Sequence, residues 1–258
     1  MFQIHFTGSP TSIELRGRKI PGAEDRQQKI SGFDQKIYSQ SHVLCIGAGG
    51  LISNIAPALV RKGIGGLIIL DPDVVELSNL NRQRFYRRDL GKNKAIAFAK
   101  NLQRECIHDT KLVGHSVSLE TAMERKINLD CDLAICGIDN NPGRVAASRF
   151  FRDKGVSIIF VAVSEKADHG YCFIQRPTGA CIGCLFPDIA DDQTYPCPGT
   201  PAISDVLQLV GALAVYAVDA VLMNRDCDWN YRSEYLPGRS MSMRVQSVSR
   251  SCELVAHH

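Results

Sequence analysis

Residues 42–95 read HVLCIGAGGLISNIAPALVRKGIGGLIILDPDVVELSNLNRQRFYRRDLGKNKA, and the span from Val43 to Lys94 decides the fold. Residues 43–46 are a short apolar run of the kind that makes a buried parallel strand. Gly47, Gly49 and Gly50 follow at once, and residues 51–62 carry helical spacing. Glycines there let the backbone turn tightly and approach a phosphate or ribose. The helix behind them offers N–H groups and the positive end of its dipole to an anion. A second apolar run, 67–70, ends on Asp71, an acid about twenty residues past the glycines, where a ribose-hydroxyl acceptor belongs. A plain strand–turn–helix without a ligand leaves that acid unexplained.

A dinucleotide dehydrogenase is the first rival. Its fingerprint wants glycine at the sixth position of the turn, where this chain has Ile52, and a β-branched residue opposes the close helix–strand approach that glycine permits. The stretch from Asp71 to Gln83, DPDVVELSNLNRQ, is the stronger argument. It is too polar for core, and with Lys94 it supplies Arg82 as a planar fork and Lys94 as a point charge for phosphate oxygens. A lone Arg or Lys is a solvated surface residue; two that follow a nucleotide-type turn form a polyphosphate clamp. A hydride-transfer enzyme has no need of one, whereas an enzyme that attacks the α-phosphate of ATP does.

Outward from this segment, strands are expected near 43–47, 66–71, 111–117, 131–137 and 156–163, and helices near 51–63, 92–106, 142–154 and 204–223, with 170–176 as an antiparallel addition. The pattern is α/β: a Rossmann-like, mostly parallel sheet with helices on both faces, plus a long crossover loop and C-terminal antiparallel strands. The chain has 258 residues, 45% of them hydrophobic, enough for a single domain spanning 1–258. Residues 1–23 read as an extension outside the main fold. Residues 185–203, rich in Pro, Asp and Thr, read as a mobile crossover loop, a type of segment that often carries function. A net charge of +3 gives no signal for nucleic acid or an anionic membrane. No uninterrupted apolar window of spanning length occurs, and the start lacks a signal-peptide pattern.

Five motifs carry a resemblance over residues 24–255: GAGGL at 47–51, DPDVVELSNLNRQ at 71–83, GKNKA at 91–95, CGIDN at 136–140 and CIGC at 181–184. With them the chain resembles the adenylyltransferase family of ubiquitin-activating enzymes and their bacterial relatives in thiamine and molybdopterin biosynthesis. The resemblance implies ATP at Gly47, Gly49 and Gly50, with Asp71 on the ribose. Asn79, Arg82, Gln83 and Lys94 would lie on the phosphates, and Asp139 would hold Mg²⁺. Without the resemblance, Asp139 is a turn-former ahead of Asn140, Asn141 and Pro142. The resemblance makes Arg26 the arginine that reaches a partner's ATP site across a two-fold interface, hence a homodimer; otherwise it is a surface charge. The implied partner is a ubiquitin-like or sulfur-carrier protein, with a conjugating enzyme or sulfur donor as a further one. Two other classes stay open: adenylation of a small-molecule or tRNA-linked carboxylate by the same fold, and a non-catalytic subunit of a heterodimeric activating enzyme.

Ten cysteines without an export signal indicate a reducing, cytoplasmic setting. Cys45, Cys131 and Cys136 read as small core hydrophobes. Cys181 and Cys184 form a CxxC that the family uses as half of a structural zinc site, with Cys252 at the distance of the second half. Val255 stands where that half's other cysteine belongs, so Cys227, His257 or His258 is the candidate fourth ligand and an incomplete site the alternative. A redox CxxC is a further possibility. Cys197, in TYPCPGTP, matches the position at which thioester-forming or persulfide-forming relatives carry their nucleophile, and an incidental loop thiol is the other reading.

Overall fold

The computed structural model describes residues 11–164, 166–190, 202–225, 230–234, 242–246 and 248. Among the described residues nine strands form one sheet: β1 (Ser12–Arg16), β2 (His42–Ile46), β3 (Gly66–Leu70), β4 (Lys111–His115), β5 (Leu133–Cys136), β6 (Ser157–Val163), β7 (His169–Gln175), β8 (Asn230–Glu234) and β9 (Ser242–Gln246). Their spatial order is β1-β4-β3-β2-β5-β6-β7-β8-β9. The central five, β4 to β6, are parallel; β1 on one side and β7, β8 and β9 on the other run antiparallel. The α-helices among the described residues are α1 (Gln35–Gln40), α2 (Ile52–Arg61), α3 (Lys94–Gln103), α4 (Leu119–Glu124), α5 (Asn141–Asp153), α6 (Ile182–Leu185) and α7 (Ser204–Leu222).

The central strands are apolar on both faces because each face is covered, so alternate residues feed two cores. Val43, Cys45, Leu67, Ile69, Leu133, Ile135, Ile159 and Val161 pack with α2, α3 and α7. Leu44, Ile46, Leu70, Ala134, Cys136, Ile158 and Phe160 pack with α4 and α5 on the other side. Helix α7 has a mean hydropathy of 1.7 over its most apolar stretch. That length and composition are enough to cross a membrane, yet Val206, Leu207, Val210, Ala214, Ala217 and Val218 are buried in the core with α2.

Each strand and helix expected from the pattern is present within a few residues of its expected ends. Three expectations are corrected. The described part of the 1–23 extension, from residue 11 on, is not outside the fold: β1 pairs with the outer edge of β4, Ser12 opposite His115 through Arg16 opposite Lys111, and Ile13 and Leu15 pack on the core. The crossover 185–203 begins as packed structure, with a 3₁₀ turn at Pro187–Ala190 and Ile189 buried; residues 191–201 lie outside the described residues. Cys131 sits just ahead of β5 rather than within it. Burial pushes the Cys45 and Cys131 thiols up to about 12 and that of Cys136 to about 11, which favours the neutral thiol in all three.

Candidate nucleotide site

The parallel strands β2 to β6 all end on one edge of the sheet, and their following loops enclose a cleft of about 1040 Å³. This is where an open α/β sheet binds ligands. Gly47 closes β2 with φ +93°, its N–H donating to Leu70 O at 2.7 Å. A Cβ there would meet Ile138 Cγ2 at 3.2 Å, so both backbone angle and space require glycine. Ile52, the residue that departs from the dinucleotide fingerprint, is fully buried. Its place is made from the opposite side: a Cβ on Gly137 would lie 2.9 Å from Ile52 Cγ1. The close helix–strand approach is kept, with the glycine moved to the loop after β5.

Asp71 directly follows β3 and is 5% exposed. Its Oδ2 accepts from Ala48 N–H at 2.7 Å and its Oδ1 from Asp73 N–H at 2.8 Å, so it ties the glycine turn to its own loop. Each oxygen keeps a further lone pair for a ribose hydroxyl. Burial pushes its carboxyl up to about 6, against the lowering pull of Lys94 and of those two N–H groups. A carboxyl raised in the fold binds more protons folded than unfolded between about pH 4 and 6. Its stabilising contribution is therefore complete below that window and is lost as pH rises through about 6, roughly 3 kcal/mol in all. A ribose hydroxyl donates to the ionised form, so nucleotide binding draws the carboxyl toward ionisation. Affinity for ATP is expected to rise with pH up to about 6 and then level off. In Asp71→Asn that difference between pH 5 and 7 disappears, as isothermal titration would show; an unchanged profile would remove Asp71 from the ribose.

Beyond Asp71, the chain folds into a 3₁₀ turn at Leu77–Asn79. Buried Asn79 closes it, its Oδ1 accepting from Glu76 N–H at 3.0 Å. The turn aims Arg82 and Gln83 at the cleft. Arg82 is braced by Ser78 O at 2.7 Å and Asn81 Oδ1 at 2.9 Å. Gln83 Oε1 is a buried acceptor with no partner among the described residues, a group that a bound donor would satisfy. Asn93 caps α3, accepting from Ile96 N–H at 3.1 Å while its Nδ2 donates to Asp71 O at 2.8 Å and Asp73 O at 3.0 Å. That cap fixes Lys94, whose Nζ lies 2.9 Å from Asp73 Oδ2. Exposed Asp139 follows β5, one residue before Asn140, which caps α5 through Gly143 N–H at 2.8 Å. Every residue assigned from the resemblance to ATP or Mg²⁺, apart from Arg26, therefore lines one cleft.

The sequence reading missed other walls of this cleft: Ser118, Leu119 and Glu120 after β4, Arg144 of α5, and Val161 to Val163 of β6. Arg144 donates to Ile138 O and Asn141 Oδ1, both at 3.1 Å, and so holds the loop that carries Asp139. Its spacing, one turn into a helix starting beside Asp139, was the available signal.

Arg26 is exposed and outside this cleft. The adjoining Gln27 donates to Lys62 O at 2.9 Å, at the far end of α2, roughly 15 Å along the helix from the glycine turn. Cys181 and Cys184 are buried with Sγ atoms 3.8 Å apart. Gln175 Oε1 receives Ile182 N–H at 3.1 Å, and Arg152 donates to Pro177 O and Gly179 O at 2.9 and 2.8 Å, so their turn is held from both ends. Among the described residues no group of three His, Cys, Asp or Glu side chains forms a metal site. Cys197, Cys227, Cys252, His257 and His258 lie outside the described residues.

The chain is similar to a SAMP-activating enzyme E1 of Haloferax volcanii, 29% identical over 65% of this chain and 61% of that one. It is likewise similar to ubiquitin-like modifier-activating enzyme 5 of Xenopus laevis, 27% identical over 92% and 64%. An adenylyltransferase and sulfurtransferase MOCS3 of Caenorhabditis briggsae is 29% identical over 90% and 59%. The chain thus spans between 59% and 64% of the length of these three. A crystal structure of E. coli MccB with ATP shares the fold, with a TM-score of 0.68 and 18% identity over 86% of this chain and 68% of that one. The model of the ThiF family matches residues 24–254, and the chain belongs to that family.

Proposed function

We propose that this protein transfers AMP from ATP to the C-terminal carboxylate of a ubiquitin-like or sulfur-carrier protein, releases pyrophosphate, and hands the acyl group to a thiol. One observation carries the reading: Asp71, Arg82, Gln83, Lys94 and Asp139 line a single cleft at the carboxyl edge of the sheet. The named relatives, modifier-activating enzymes and an adenylyltransferase, support it.

Asp71 would fix the ribose, and the glycine turn lets the triphosphate approach the start of α2. Arg82 and Lys94 meet the phosphate oxygens and hold the α-phosphorus in line for the carboxylate oxygen. That oxygen attacks, and the bond to pyrophosphate breaks. A carboxylate is a weak nucleophile and ATP is heavily charged, so the chain contributes position and charge stabilisation rather than a base. Asp139 fits a magnesium ion, being an exposed carboxylate on the cleft wall; Mg²⁺ takes one or two carboxylates plus phosphate oxygens and water. When bound it would offset charge on the phosphates.

The CxxC geometry supports a structural zinc. Two sulfurs held about 2.3 Å from a tetrahedral zinc lie about 3.8 Å apart, the separation of Cys181 and Cys184. Val248 packs on this pair, four residues ahead of Cys252 in the sequence. Purified protein is expected to carry one zinc per chain, lost in Cys181→Ser; elemental analysis finding none would remove the site. The homodimer reading rests on Arg26 being exposed and away from its own cleft, and a monomer in analytical ultracentrifugation would remove it.

Cys197 is five residues ahead of Ala202 in the sequence, and Ala202 lines the cleft. The functional test is ATP–pyrophosphate exchange with ubiquitin-fold proteins as substrates. Exchange is expected with at least one of them. Cys197→Ala keeps the exchange and abolishes the thiol-labile adduct seen on gels. ATP binding by no preparation would end the proposal, and an adduct surviving in Cys197→Ala would transfer its role to another thiol.

A further inference from the structure

The turn between β6 and β7 carries a polar cluster that adenylation does not use. Val161, Ala162 and Val163 form the β6 wall of the cleft. Val163 is in register with Gly170, and Ser164 N–H donates to His169 O at 2.9 Å. His169 therefore stands one ladder step beyond Val163, the last β6 residue of the cleft wall. Asp168 Oδ1 receives the Ser164 hydroxyl at 2.6 Å and lies 2.8 Å from His169 Nδ1. The Ser164 oxygen also accepts from Asp168 N–H at 3.2 Å and His169 N–H at 3.4 Å. Ala167 closes the turn at φ +51°, a left-handed conformation that L residues rarely adopt.

The hydrogen bonds from Ser164 and His169 hold the Asp168 carboxyl below its usual range. An ionised carboxylate only accepts, so the Nδ1–H donates to it and the lone pair is left on Nε2. The His169 side chain is 39% exposed. A histidine held in one tautomer by an acid, with its other nitrogen a base, is the arrangement that activates a weak nucleophile. Attack by a carboxylate on ATP needs no such base. Attack by a thiol on the acyl-adenylate does, since an ordinary thiol is only a few per cent ionised at pH 7.

We infer that His169, oriented by Asp168, is the general base for the thiol that takes the acyl group; this rests on the function proposed above. The thiol proton passes to Nε2. The sulfur attacks the acyl carbon, a carbon–sulfur bond forms, and the carbon–oxygen bond to AMP breaks. AMP leaves with the electron pair as its phosphate anion, and no oxidant or reductant is involved. Among the described residues, Asp168 is the group in contact with the His169 ring, and Ser164 is bonded to Asp168 in turn. Lys166 is the other charged residue described on the turn, Tyr171 follows on the same face of β7, and Glu234 of β8 is in register across the ladder.

The test uses a ubiquitin-fold protein that supports exchange in the wild type, with AMP release measured in single turnover. The acceptors are 2-mercaptoethanol and the more acidic trifluoroethanethiol. In His169→Gln the ratio of transfer to exchange is expected to fall about 100-fold with 2-mercaptoethanol at pH 7. The fall is much smaller with trifluoroethanethiol, and it recovers as pH rises past the thiol's own ionisation. Asp168→Asn gives the same pattern at smaller size. An equal loss with both thiols, or a parallel loss of exchange, would make the cluster a hairpin brace and overturn the inference; no loss would do so as well. If the wild type shows no exchange with any substrate, the underlying reading falls and the base falls with it.

Discussion

Asp139→Ala is expected to lower ATP–pyrophosphate exchange by roughly 10³-fold, or about 4 kcal/mol of transition-state stabilisation, while the unfolding midpoint stays within error of the wild type. The two halves of this result have separate causes. Asp139 is exposed on a loop, and surface substitutions away from caps or buried networks rarely move stability by more than about 0.5 kcal/mol. The cap of α5 is Asn140, bonded to Gly143 N–H, and the loop is braced independently by Arg144. Removing the Asp139 carboxylate leaves both in place. The catalytic loss follows from charge: a triphosphate in the cleft would meet Arg82 and Lys94, which line it, and a carboxylate-bound cation on the β5 wall would complete the enclosure. Asp139→Asn should keep the shape and lose most of the rate, with a higher magnesium requirement. Exchange undiminished in Asp139→Ala, measured at saturating magnesium and again at limiting magnesium, would refute the assignment.

The part of this site that was legible lies at the ends of regular elements. A parallel strand buried on both faces is a continuous apolar run, so β2 and β3 announce themselves and their last residues mark Gly47 and Asp71. Lys94 and Asp139 likewise fall at the start of a helix and the end of a strand. The walls from Ser118 to Glu120 and from Val161 to Val163 were not legible as such, because their membership depends on which loops the strand order brings to one edge. The substitution of Ile52 for glycine read as a mismatch because its compensation, Gly137, is on another strand's loop. Strand β1 was missed for a related reason. SIELR is a five-residue alternating run in a polar segment, and its strand state is conferred by the edge of β4, whose backbone groups would otherwise be unpaired. Helices α1 and α4 have six residues each, too few to display a helical period.

Lys94→Ala is expected to weaken ATP binding and lower exchange by about 100-fold in combination, and an exchange of partners at the lysine would account for the loss. The ammonium is held 2.9 Å from Asp73 Oδ2, with the lysine side chain 12% exposed and the aspartate 65% exposed. A mostly hydrated carboxylate is a modest partner. A phosphate carries more charge and would approach from the cleft side, so nucleotide binding would move the lysine from Asp73 to phosphate and return Asp73 to water. Two consequences separate this role from a structural one. Asp73→Ala should tighten ATP binding by a few-fold, because the lysine no longer has to leave a partner. Its effect should vanish in the Lys94→Ala background, as a double-mutant cycle would show. The carboxyl of Asp71, raised by burial and lowered by Lys94, should rise further in Lys94→Ala, moving the pH midpoint of ATP affinity above about 6. A variant with near-normal ATP affinity and an unmoved midpoint would show that Lys94 serves only to hold the Asp73 loop, and the phosphate clamp would then rest on Arg82 alone.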